Sequence, residues 1–181
     1  MKTFEHVAFL RGINVGGKNM LPMTDLVEMF VAAKCSNVRS YIRSGNIIFE
    51  ASPKVAAGVP EIISAQIEKR FGCRIPVVVR SRQKLREIAA GNPFLKAGAA
   101  AGTLHVIFLA VAPSPEQIAS LDPRRSPPGE FVVRGQEVYL NLPAGVAKTK
   151  LTNAYFDSKL STTGTQRNWR TVIALTEMIR E

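Results

Sequence analysis

Residues 1–80 set out one order of elements, and that order limits the folds open to the chain. Short β-rich runs lie at Glu5–Leu10, Val38–Ile42, Ile47–Glu50 and Ile75–Arg80. Two segments with helical periodicity stand between them. The first, Pro22–Ala33, carries Leu26, Val27, Met29 and Phe30 at helical spacing. Pro22 suits its first turn, where a missing N–H leaves nothing unbonded. The second runs to Phe71, with Ser52 as N-cap, Pro53 at the first helical position and Gly72 as its stop. Arg43-Ser44-Gly45-Asn46 divides the second and third runs. Gly and Asn tolerate the positive φ that a hairpin turn needs. The order is therefore β-α-β-β-α-β, that of the ferredoxin-like unit.

Such a unit closes as a four-stranded antiparallel sheet with both helices on one face. If the first strand runs upward, the loop after it and the central hairpin both lie at the top. Residues 11–19 and 43–46 are then expected to converge, although they are far apart in sequence.

Residues 81–181 repeat part of this plan. A helix at Gln83–Ala90, capped by Ser81, ends at Gly91-Asn92-Pro93. After the small-residue loop Lys96–Gly102 come a strand, Leu104–Ala110, a short helix, Pro115–Leu121, and the irregular loop Asp122–Gly129. Glu130–Val133 and Glu137–Asn141 form a hairpin around Arg134-Gly135-Gln136, and two helices, near 150–160 and 168–180, close the chain. This reads as β-α-β-β-α, a degenerate repeat without its fourth strand. It could borrow that strand from the first half, so the expected fold is α+β, with ferredoxin-like subdomains at 1–80 and 81–181 packed as one unit.

The bulk composition narrows partners and compartment. Hydrophobic residues make up 46% and charged residues 21%, as in a globular chain. The longest apolar run, Val106–Ala112, is too short to cross a bilayer, and charges interrupt the N-terminal apolar residues, so neither a span nor a secretory signal is expected. Cys35 and Cys73 fit neither a disulfide framework nor a metal-ligand spacing. A cytoplasmic location follows as the expectation, with no membrane partner, no metal and no tightly held cofactor. The net charge of +10 favours anionic partners, nucleic acid among them, or else a basic surface with no specific ligand.

The densest chemistry lies in Arg11-Gly12-Ile13-Asn14-Val15-Gly16-Gly17-Lys18-Asn19. Three glycines, two cations and two Asn side chains make a loop rich in donors and poor in bulk, suited to bringing backbone N–H groups to an anion. It is not a Walker A loop. The spacing is one residue short, Asn19 stands where a Mg²⁺-binding hydroxyl belongs, and Pro22 would break the helix that should follow. A tight turn is the competing reading of the glycines.

Other chemistries have less support. Ser44 lacks a base, because His6 and His105 both fall within predicted strands. Phe9 and Phe49 sit on central strands, but the aromatic alternation of an RRM is missing. Arg167 and Asn168 are expected at the start of the last helix, where free N–H groups favour an anion; capping by Thr165 or Asn168 is the alternative. Trp169 reads as a core anchor. Arg80–Arg86, Arg124-Arg125 and Lys148–Lys150 are basic runs, either solvated faces or backbone-binding patches.

LRGINVGGKN, YIRSGNIIF, LPAGVAKTKLTN and TQRNWRTVIAL, in that order, resemble the bacterial family known as domain of unknown function 1697. The family-like positions are Arg11, Gly12, Asn14, Gly16–Asn19, Ser44–Asn46, Arg167–Trp169 and Thr171. The resemblance implies a two-part α+β protein with ferredoxin-like subdomains and implies no activity.

The residues together give a candidate anion site of Arg11, Asn14, Gly16, Gly17, Lys18, Asn19, Ser44, Gly45 and Asn46, with Arg167 and Asn168 as further ligands. A small-molecule enzyme with a cleft between the halves, and a protein-interaction module using a sheet edge, are the alternatives.

Overall fold

Short continuous apolar runs and a few helix signals organise the first part of the chain. The computed structural model describes residues 2–179. Its first elements are β1 (Phe4–Leu10), α1 (Met23–Ala32), β2 (Ser36–Tyr41), β3 (Asn46–Ala51), α2 (Pro53–Phe71) and β4 (Val77–Ser81). The strands form one antiparallel sheet in the order β2-β3-β1-β4. Ala8 and Leu10 of β1, with Ile47 and Phe49 of β3, join Leu26, Met29 and Phe30 of α1 and Val59, Ile63 and Ile67 of α2 in one apolar core. Burying each of these side chains other than Ala8 contributes about 1.5–3 kcal/mol, which outweighs the weak intrinsic preferences of these segments.

The helix signals act where they were expected, with one shift. Ser52 Oγ accepts the Val55 N–H, Pro53 opens α2, and Gly72 ends it at φ 72°. Pro22 is the N-cap of α1 rather than a first-turn residue.

The remaining elements are α3 (Arg82–Ala90), α4 (Pro93–Lys96), β5 (Leu104–Leu109), α5 (Pro115–Ala119), β6 (Glu130–Arg134), β7 (Glu137–Asn141), α6 (Asn153–Leu160), β8 (Gly164–Asn168) and α7 (Trp169–Met178). Their sheet is also antiparallel, in the order β6-β7-β5-β8. Ile107, Leu109, Val138 and Leu140 pack there with Tyr155, Phe156 and Leu160 of α6.

The second sheet corrects the sequence reading. It holds its own fourth strand, β8, so it is not degenerate and borrows nothing from the first sheet. Residues 164–168 carry no apolar alternation, because β8 is an edge strand held by its backbone ladder to β5. A Cβ on Gly164 would lie 2.5 Å from Ile107 Cγ2, so the residue that lets β8 approach β5 has no side chain to signal a strand.

The two sheets repeat each other in register. Val7 pairs with Arg80 and His6 with Ser81, as Val106 pairs with Arg167 and His105 with Asn168. The strands at the centre of this match read His6-Val7-Ala8-Phe9-Leu10 and His105-Val106-Ile107-Phe108-Leu109. Leu10 N donates to Gly45 O at 2.8 Å, and Leu109 N to Gln136 O at 2.8 Å. Ser81 Oγ accepts the Lys84 N–H, and Asn168 Oδ1 the Thr171 N–H, each opening a helix. The chain separates into two compact units. One runs to Leu85 and includes the described residues from Glu177 onward; the other is Arg86–Thr176. Among the described residues no helix is long and apolar enough to cross a membrane.

Candidate functional site

The glycine-rich segment leaves β1 at Arg11 and folds back on itself. Val15 and Lys18 form an isolated antiparallel bridge, closed by Lys18 N donating to Val15 O at 3.1 Å. Gly16 and Gly17 between them have φ of 57° and 74°, the left-handed pair of a mirror-image two-residue hairpin turn. A Cβ at either would meet nothing within 4 Å, so these glycines serve the backbone conformation and leave the tip open.

Two Asn side chains brace this tip from below. Asn14 Nδ2 donates to Leu21 O (3.0 Å) and Arg43 O (2.9 Å), while Asn14 Oδ1 accepts the Leu21 N–H at 2.8 Å. Asn19 Nδ2 donates to Gly12 O at 3.0 Å. Both residues hold left-handed φ, 53° and 48°, a conformation that Asn adopts more readily than most residues. Ile13 is fully buried and pins the base of the loop in the core.

The 43–46 turn meets this loop, as the topology requires. Besides the Asn14–Arg43 bond, Leu10 N donates to Gly45 O. Gly45 has φ 81°, and a Cβ there would lie 2.9 Å from both Ile13 Cγ1 and Leu10 Cβ. Asn46 is fully buried; its Nδ2 donates to Tyr41 O (3.2 Å) and Ser44 Oγ (3.1 Å). Asn14, Asn19, Gly45 and Asn46 therefore do structural work. Lys18 and Arg43 are exposed, and neither side chain has a hydrogen-bond or ion-pair partner among the described residues. Arg11 is half-buried, with its N–H on Pro76 O at 3.0 Å. Sequence reasoning passed over Arg43, although it stands in the same turn as Ser44.

Arg167 and Asn168 lie at the start of the last helix, as expected, and they also end a strand that the sequence does not announce. Between the end of β8 and the start of α7 there is no intervening residue. Arg167 is 9% exposed, and its Nη1 donates to Thr165 Oγ1 and Gln166 O, both at 2.8 Å. Burial pushes its pKa down to about 10. Asn168 caps α7. Both belong to the second unit, where Arg80 of the first has its counterpart in Arg167. The repeated His-Val-x-Phe-Leu strand was the sequence signal that could have exposed this equivalence. Trp169 is buried, as a core anchor.

His6 and His105 lie in β1 and β5, and burial lowers the pKa of each. His6 stacks on Phe49 at 5.4 Å. Burial raises the Cys35 thiol to about 11, which leaves it un-ionised and unreactive at neutral pH. Among the described residues no three His, Cys, Asp or Glu side chains group as a metal site. An open groove of about 520 Å³ runs along α1 and α2, lined by Glu28, Met29, Ala32, Gln66, Lys69 and Arg70; the glycine loop does not line it.

Comparison with known proteins adds family and fold. The model of a family described as protein of unknown function, DUF1697, matches residues 1–139. A conserved bacterial protein of Streptococcus pneumoniae, SP0830, has a similar solved structure, with a TM-score of 0.72 and 20% sequence identity. That similarity covers 99% of this chain and 100% of the other. No curated protein matches this chain.

Proposed function

We propose, for a chain that belongs to the DUF1697 family of proteins of unknown function, that it binds phosphate-bearing ligands, nucleic acid foremost, on the loop pair 11–19 and 43–46. One observation carries the reading. The second unit joins its first strand to its next helix through residues 110–114, whereas the first unit uses residues 11–22 for the same connection. The second unit closes the same order with the shorter connection, and within residues 11–22 only Ile13 and Leu21 join the buried core. Long connections that a compact fold does not require are where binding function concentrates.

The loop's internal chemistry fits that use. Asn14 and Asn19 satisfy its backbone from inside, so the tip is held without help from a ligand. Lys18 and Arg43 remain exposed for phosphates, and Gly16 and Gly17 present backbone without side chains. Binding through charge and backbone would be tolerant of sequence and sensitive to salt. It is consistent with the net charge of +10 and with a protein acting in the cytoplasm.

The same reading treats residues 1–80 and 81–181 as ferredoxin-like subdomains. Its support is the shared β-α-β-β-α-β order and the matching strand orders β2-β3-β1-β4 and β6-β7-β5-β8.

Fluorescence anisotropy of a labelled single-stranded oligonucleotide tests the site. The Lys18→Ala, Arg43→Ala variant should bind about tenfold more weakly or worse at moderate salt, with an unchanged circular dichroism spectrum. Undiminished binding by the variant would remove the loop pair as the site.

A further inference from the structure

Two basic loops of the second unit, residues 122–129 and 143–150, are tied together around a small cavity that the reading above does not use. Lys150 N donates to Ser126 Oγ at 2.9 Å, and Thr149 Oγ1 lies in hydrogen-bond contact with the same oxygen at 3.3 Å. The two hydroxyls share one hydrogen bond, and Thr149 Oγ1 also accepts the Leu151 N–H, so one O–H of the pair has no acceptor among the described residues. Beside the pair lies a cavity of about 20 Å³, lined in part by Ser126, Gly129, Gly145, Lys148 and Thr149. That volume takes one water-sized group, so it admits a single oxygen and not a base or a sugar.

Arg125 is prepared for an anion at the same loops. Tyr155 Oη accepts the Asp122 N–H at 2.9 Å, which fixes the ring. The Arg125 guanidinium sits 4.0 Å from the ring centroid, and its Nε donates to Lys150 O at 3.1 Å. The stack and the Nε bond orient the guanidinium and leave both terminal nitrogens without a partner among the described residues. A guanidinium held in this way loses little freedom on binding an oxyanion in a two-pronged contact. Arg124, Lys148 and Lys150 are exposed on the same loops, and none of the four cations is ion-paired among the described residues. The nearby carboxylate of Asp122 accepts the Arg124 N–H.

We propose that these loops form a second, independent phosphate site, with the Ser126–Thr149 hydroxyl pair and the cavity taking one oxygen while Arg125 and Lys148 hold the others. The phosphate could be carried by a nucleic-acid end or by a free phosphorylated small molecule; the recognising chemistry is the same. The inference does not rest on the loop pair of the first unit.

The test is an amide chemical-shift titration of the full chain, carrying Lys18→Ala and Arg43→Ala, with inorganic phosphate against chloride at equal ionic strength. Phosphate should shift residues 124–129 and 145–150 saturably. Arg125→Lys, which keeps the charge but loses the stacked fork, and Lys148→Ala, an exposed residue whose loss leaves packing alone, should each weaken binding at least tenfold. A 5′-phosphorylated oligonucleotide that binds these residues more tightly than inorganic phosphate would support a nucleic-acid end. Equal binding of the two would support a free phosphate group. Shifts scattered over the surface, matched by chloride, or unchanged in both variants would overturn the site.

Discussion

Gly45→Ala separates a structural role for the 43–46 turn from a binding role, and its cost can be worked from the geometry. Gly45 has φ 81°, where an L residue loses about 1–2 kcal/mol. Its Cβ would also lie 2.9 Å from Ile13 Cγ1 and Leu10 Cβ, two fully buried residues, and overpacking of that kind costs about 1–3 kcal/mol more. Gly16→Ala provides the comparison. Gly16 has φ 57°, but nothing lies within 4 Å of the added carbon, so only the backbone term applies. Both substitutions stiffen the unfolded chain equally, which cancels in the difference. Gly45→Ala should therefore destabilise the first unit by about 1–3 kcal/mol more than Gly16→Ala. Native-state hydrogen exchange at the Leu10 amide, which donates to Gly45 O, reads the first unit directly; Trp169 fluorescence would report on the second. Equal protection losses in the two variants would refute the packing argument and show that the 43–46 turn is not wedged against Ile13 and Leu10.

Three further outcomes follow from the same contacts. Asn14→Ala strips partners from Leu21 N, Leu21 O and Arg43 O; it should cost about 1–3 kcal/mol in urea unfolding, and a neutral effect would contradict the brace. Gly164→Ala drives a Cβ to 2.5 Å from Ile107, so the β5–β8 amides should lose exchange protection before those of β6–β7, and uniform protection would count against the close approach. Burial lowers the folded pKa of His6 and His105 below the ordinary 6.5, so the unfolded chain takes up protons first as pH falls. Their contribution is complete above pH 6.5 and is lost as pH drops through the lower folded values, ahead of most carboxylates. Urea midpoints measured from neutral pH down toward the carboxylate range should fall for the native chain and stay nearly level for the His6→Asn, His105→Asn variant.

Most elements could be read from the sequence because their signals are local. Ser52, Pro53 and Gly72 bound α2 through its own backbone, and β1 and β3 carry unbroken apolar runs, Val7–Leu10 and Ile47–Phe49. The meeting of residues 11–19 with 43–46 followed from topology alone. What stayed hidden depends on partners. The strand β8 is polar, its hydrogen bonds go to β5, and its closest approach is made by a glycine, so nothing within residues 164–168 announces it. With β8 unseen, Arg167 and Asn168 show in the sequence their place at the start of α7 but not the strand they end. The side chains of Asn14, Asn19 and Asn46 look like ligand contacts in the sequence, because an amide spent on a backbone carbonyl and one offered to a ligand are written alike.

The salt dependence of oligonucleotide binding tests the account most directly. Lys18 and Arg43, each on one phosphate, should add about 0.7 apiece to the slope of log affinity against log salt for a single strand. The Lys18→Ala, Arg43→Ala variant should therefore bind more weakly, with a slope shallower by about 1.4. An unchanged slope, or no binding by the native chain at low salt, would contradict a phosphate site on this loop pair.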